Sequence, residues 1–248
     1  MTGIEWTDET WNPVTGCTKV SQGCKFCYAE TMHKRLMKMC PQKYGTPFGV
    51  VRCHESELDK PFKWTKPTMC FVNSMSDLFH KDIPIDFICK VFVVMNQCNP
   101  KHIFQVLTKR PETLFRNYSV GYIENLNAVL NWTQNIWLGV SIENRDVMER
   151  LELLKATSAK VRFLSLEPLL EDLGELNLSG IDWVIVGGES GRTPRPIKAE
   201  WVGNIRDQCI AQSVPFFFKQ WGGTNKKKAG RELDGREWLE MPKRELPF

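Results

Sequence analysis

The chain has 248 residues, 42% of them hydrophobic and 25% charged, with a formal net charge of +4. That composition is ordinary for a globular domain of the size α/β barrels use, and no apolar run approaches the roughly 18 residues a membrane span needs. Nine cysteines, an odd number spread irregularly, argue against a secreted disulfide framework and for reduced thiols or metal ligation.

Met1 to Trp11 is acidic and polar, unlike the basic start and apolar core of a signal peptide, so a cytoplasmic location and no membrane association are expected. Trp11–Val14 reads as a short extended stretch, because Asn12 precedes a proline. The loop behind it holds Cys17, Cys24 and Cys27, three cysteines within eleven residues at the spacing C-x6-C-x2-C. A structural zinc site closes with four ligands, whereas three thiolates leave a position open for chemistry. Tyr28–Met39 carries a helical pattern. Apolar strands are then expected at Thr68–Val72, His102–Leu107, Ile136–Val140, Val161–Leu164, Trp183–Val186 and Pro215–Phe218. Helical patterns lie between them, at Ile85–Gln97, Pro111–Phe115 with Ile123–Leu130, Arg145–Thr157 and Ala199–Gln212. Strands apolar on both faces and joined by helices imply parallel pairing, and hence an α/β fold built as a partial parallel (β/α) barrel of about six to seven strands.

Each strand runs into polar residues: Asn73, Ser74 and Asp77; Thr108, Lys109 and Arg110; Ser141, Glu143 and Arg145; Glu167; Glu189; Lys219. In a parallel barrel these ends share one face, where active sites are built. The expected organisation is a barrel over residues 1–223, with the thiol loop at 17–27, followed by a basic loop and hairpin-like extension over 224–248. Asp234-Gly235 is a hairpin signal. Lys226, Lys227 and Lys228 read first as a solvated loop and, more sharply, as a phosphate clamp. The remaining cysteines form no close-spaced set for a second cluster.

Cys24-Lys25-Phe26-Cys27, with Cys17 before it, resembles the cluster motif of the radical S-adenosylmethionine enzymes. The first spacing departs from theirs, with six residues where three are usual. More narrowly, WNPVTGC, GCKFCYA, LTKRP, WLGVSIEN, RFLSLEPLL, DWVIVGGESG, FFFKQWGG and GRELDGREW resemble a phage and prokaryotic family of unassigned function that carries a three-cysteine motif and is radical-SAM-like. The resemblance implies that Cys17, Cys24 and Cys27 bind a [4Fe-4S] cluster whose free iron chelates S-adenosylmethionine, with an external electron donor. Reductive cleavage would then start radical chemistry, on a nucleobase or nucleic acid. It implies Phe26 beside the cofactor, Asn73, Ser74 and Asp77 toward its amino group, and Ser141, Glu143 and Arg145 toward ribose and carboxylate. Glu167, Glu189 and Lys219 are the candidates for catalytic contacts. Gly187-Gly188-Glu189 follows the sixth strand, not the second as in that superfamily, so the superfamily's role for such a triplet is not carried over. The rival is a zinc-stabilised nucleic-acid-binding module, with His33 closing a Cys3His site and Lys25, Lys34, Arg35 and Lys38 on phosphates.

Overall fold

The computed structural model describes residues 4–116 and 125–243, without the side chains of Lys226 and Lys227. Seven strands form one sheet: β1 (Glu9–Trp11), β4 (Thr68–Val72), β5 (His102–Thr108), β6 (Ile136–Ser141), β7 (Val161–Leu166), β8 (Trp183–Gly187) and β9 (Phe216–Gln220), in that spatial order. All six neighbouring pairs are parallel. The short strands β2 (Val14–Thr15) and β3 (Arg52–Cys53) form a separate antiparallel pair. The helices are α1 (Tyr28–Met39), α2 (Pro41–Tyr44), α3 (Ile85–Gln97), α4 (Leu126–Val129), α5 (Glu149–Lys155), α6 (Ala199–Ala211) and α7 (Lys226–Ala229).

Alternation along the strands divides the sheet into two apolar faces. One presents Val72, Phe104, Val106, Leu138, Leu164, Val184, Phe216 and Phe218 to a large core that includes Phe87, Val91 and Met95 of α3 and Val202, Ile205 and Cys209 of α6. The other presents Met69, Phe71, Ile103, Trp137, Phe163, Trp183, Ile185 and Phe217, with Trp6, to a second cluster. Ring contacts in that cluster show how far the sheet curls. Trp6 lies 4.9 Å from Phe71 on β4 and 6.1 Å from Trp183 on β8. In a flat sheet those strands would stand roughly 19 Å apart, at ~4.8 Å per neighbour. One indole touching both requires a half-barrel, and the aromatic cluster fills its concave side.

The parallel, doubly buried sheet expected from the sequence is present; Thr68–Val72 has the expected bounds, and the other five expected strands end one or two residues further on. The first strand differs. Glu9–Trp11 pairs with β4, and the chain leaves the sheet at Asn12-Pro13, because proline has no N–H to continue the ladder; Val14–Thr15 pairs with β3 instead. Pro111–Phe115 and Arg145–Val147 are 3-10 turns, not α-helix, and of the helix expected at Ile123–Leu130 the part Leu126–Val129 is helical among the described residues. Ile123 and Glu124 lie outside the described residues. The Asp-Gly hairpin forms between β10 (Glu232–Leu233) and β11 (Arg236–Glu237), with Asp234 and Gly235 at φ 53° and 78°. These left-handed values suit the twist of a tight hairpin. Beyond it the chain turns back along β9: Phe218 N donates to Trp238 O at 2.8 Å and Glu240 N to Phe216 O at 3.1 Å.

Candidate functional site

The carboxyl ends of the parallel strands meet at one rim, and the loop leaving β1 lies across it. Gly16, at φ 85°, bridges to Ser76 beyond β4. A side chain there would put its Cβ 2.2 Å from the Val50 carbonyl oxygen, so the approach requires glycine. Cys17 follows, its N–H on the Phe48 carbonyl at 2.8 Å. Cys24 ends a 3-10 turn over Gln22–Cys24, and Cys27 stands at the N-cap of α1 without a capping side-chain bond. All three thiols are free and partly buried. Among the described residues no three Cys, His, Asp or Glu side chains are gathered as a metal centre. Burial, reinforced by Asp77, pushes the Cys17 thiol up to about 12, while Arg110 acts against the rise.

Side chains from three different strand ends fasten this loop. Arg110, after β5, donates to the Thr18 carbonyl at 2.8 Å and to its hydroxyl at 2.9 Å. Glu143, after β6, is fully buried and accepts from Gly23 N at 3.0 Å and from the Ser21 hydroxyl. Arg150 neutralises it at 3.1 Å while donating to the Ser141 carbonyl at 2.8 Å. Arg195, beyond β8, binds Glu189 and reaches the Gln22 carbonyl at 3.0 Å. Burial alone would raise the Glu189 carboxyl, but the hydrogen bonds and charge of Arg195 outweigh it and hold the group below its ordinary value. A buried acid that accepts charge-assisted bonds keeps its geometry, so the loop is fixed at several points.

The predicted residues fall into separate groups. Phe26 is exposed, with Lys25 5.4 Å and Arg195 5.5 Å from its ring centroid. Glu143 holds the thiol loop directly and Glu189 only through Arg195, and Ser141 contributes its carbonyl to Arg150. Asn73, at φ 60°, accepts from Val14 N at 3.2 Å. The Ser74 hydroxyl donates to Asn12 at 3.1 Å, and its carbonyl accepts the Tyr28 hydroxyl. Asp77 uses both oxygens within the protein, on Phe79 N, the Thr108 hydroxyl and Lys109 N. Arg145 turns away, its N–H on Glu171 at 2.6 Å and its guanidinium on the Asp172 carbonyl at 2.8 Å. Glu167 and Lys219 form a two-pronged pair at 2.7 and 2.8 Å. Near them the Tyr28 phenol is raised by burial of its hydroxyl end and then by the charges of Cys27 and Glu167. Lys226 and Lys227 belong to α7, and Lys228 is exposed there.

Arg150, Arg195 and Tyr28 were absent from the sequence expectations. No spacing announces an arginine that folds back from a helix or loop, although Tyr28 adjoins Cys27. His33 is buried, its Nε2 2.7 Å from the Thr46 carbonyl and its ring edge-on to Tyr44 and Phe48. Four buried polar atoms at the strand ends have no partner among the described residues: Asn73 Nδ2, Arg110 Nε, Asn144 Oδ1 and Gln220 Oε1. Such atoms are costly when buried without a partner and mark places where a ligand or water completes the set.

Fold and site together define a parallel half-barrel with a three-thiol loop pinned across its carboxyl rim. The chain belongs to the family described as "Protein of unknown function (DUF5131)", which matches residues 1–242. No curated protein matches the chain, and no solved structure does.

Proposed function

We propose that the protein is a radical S-adenosylmethionine-like enzyme in which Cys17, Cys24 and Cys27 hold a [4Fe-4S] cluster, with a nucleobase or nucleic acid as substrate and an external electron donor. The supporting observation is the loop itself: three unpaired thiols on one segment, fastened from the ends of β5, β6 and β8. The donor set fits the group, since three sulfur ligands leave a cluster iron open, and the unpartnered Asn73 and Gln220 atoms fit a polar cofactor at the same rim. When bound, cluster and cofactor supply one-electron cleavage of the sulfonium, the chemistry that begins hydrogen abstraction.

The protein's residues then have these parts. Arg110, beside Cys17, partly offsets the rise that burial imposes on this thiol, which would bind a cluster iron as the thiolate. Glu143 and Arg195 keep the loop at the rim. Phe26 would shield the cofactor, with Asn73, Ser74 and Ser141 as its polar contacts. Asp77 and Arg145 would reach a ligand only by leaving their present partners. Glu167 and Lys219, with Tyr28 beside them, would hold a substrate polar group and exchange a proton with it on leaving their mutual pair. The zinc reading is less well supported, because His33 is buried among Tyr44 and Phe48 and bound to Thr46.

Protein purified anaerobically should be brown and give a [4Fe-4S] electron paramagnetic resonance signal on reduction. It should lose both when Cys24 is replaced by Ala, and it should form 5′-deoxyadenosine from S-adenosylmethionine. Colourless protein carrying one zinc would overturn the proposal.

A further inference from the structure

The positive charge of the chain is concentrated in one segment. Lys19, Lys25, Lys34, Arg35, Lys38 and Lys43 oppose a single acid, Glu30, so residues 19–43 carry +5 of a chain total of +4. The rest, with 27 basic and 28 acidic side chains, is net −1. Lys19 pairs with Glu30 and Lys43 with Glu57, while Lys34, Arg35 and Lys38 are exposed and have no partner among the described residues.

Exposed apolar surface gathers in the same segment. Tyr28 is 57% exposed, Met32 42% and Met39 67%. With Arg35 they stand at i, i+4, i+7 and i+11 on α1, one line along its solvent face. Lys38 and Lys34 are exposed as well and lie about 90° and 130° further round the helix. The line begins at Tyr28, at the rim beside Cys27 and near Glu167.

We infer that the exposed side of α1 binds a single-stranded nucleic acid and leads one of its nucleotides to the rim. Phosphates answer the unpaired cations, and flat base faces answer the tyrosine ring and the adaptable methionines. A duplex would present only phosphates, because its base faces are stacked away. The inference deepens the nucleic-acid part of the proposed function, and binding requires neither the cluster nor S-adenosylmethionine.

The test is fluorescence anisotropy of the full chain with labelled single strands of about 16 nucleotides, the upper end of an ordinary single-strand site. One arm is DNA, one RNA and one the matching duplex. The single strand of whichever sugar is recognised should bind at least tenfold tighter than its duplex. The variant K34A/R35A/K38A should weaken binding about tenfold and flatten the log K against log salt slope by roughly 2, at ~0.7 per phosphate contact. Met32→Ala should weaken binding without changing the slope. Circular dichroism checks that the variants keep their helices. Equal binding of duplex, an unchanged triple variant, or equal competition by polyglutamate, which would indicate an acidic protein partner, each overturns the inference. None of these results alters whether the protein is brown, so failure here is distinguishable from failure of the cluster reading.

Discussion

At the scale of single residues, the most consequential side chain is Glu143, a fully buried carboxylate that serves the thiol loop and Arg150 at once. Its worth shows on removal, since deleting one member of a buried ion pair leaves an unpaired charge in low dielectric. Glu143→Ala should cost about 3–5 kcal/mol in urea unfolding, and replacing both Glu143 and Arg150 by Met should cost less than that. A double variant as unstable as the single one would show that the two side chains do not act as a pair. Gly23 lies in the same contact, where a Cβ would stand 2.9 Å from the Glu143 carboxyl. The loop is therefore fitted to this acid on its backbone side as well.

Among the elements, the strands were legible because each is apolar on both faces, and a short apolar run between turns and helices has few other readings. Ile85–Gln97 was equally plain, since its buried side chains recur at helical spacing. The first strand was misplaced because only three residues pair before Pro13 ends the ladder. Polar strand ends also told in advance which rim the thiol loop would lie across, but not that Arg110 and Arg195 reach to it, because those contacts join residues far apart in the chain. Arg195 and Gln22 are 173 positions apart. The sheet edge at β9 was legible only as a hairpin signal. Its cover, Trp238 to Glu240, pairs with β9 and keeps Phe216–Phe218 from standing at an open edge, a recognised route to aggregation. Chain shortened to end at Gly235 should therefore aggregate, as light scattering would record, while the same chain with a Gly235→Ala change and its full length should stay monodisperse.

For the molecule as a whole, curvature is maintained by aromatic packing on the concave side. Trp6 touches β4, β7 and β8 through Phe71, Phe163 and Trp183. Trp6→Ala should cost about 3–5 kcal/mol, the range for a buried tryptophan, and lower the thermal midpoint. A loss below 1 kcal/mol would mean that the curl is maintained without it. Gly139 shows how closely this side is filled: a Cβ there would come within 2.3 Å of the Phe163 ring.

The sheet begins at β1 and ends at β9, and among the described residues these two strands do not pair with each other. The gap between them is nonetheless no doorway, because Trp6 and its aromatic neighbours plug the concave side and Trp238 to Glu240 cover the flank at β9. Whatever meets the thiol loop therefore arrives over the carboxyl rim, where it finds loops and strand ends and leaves the packed interior untouched.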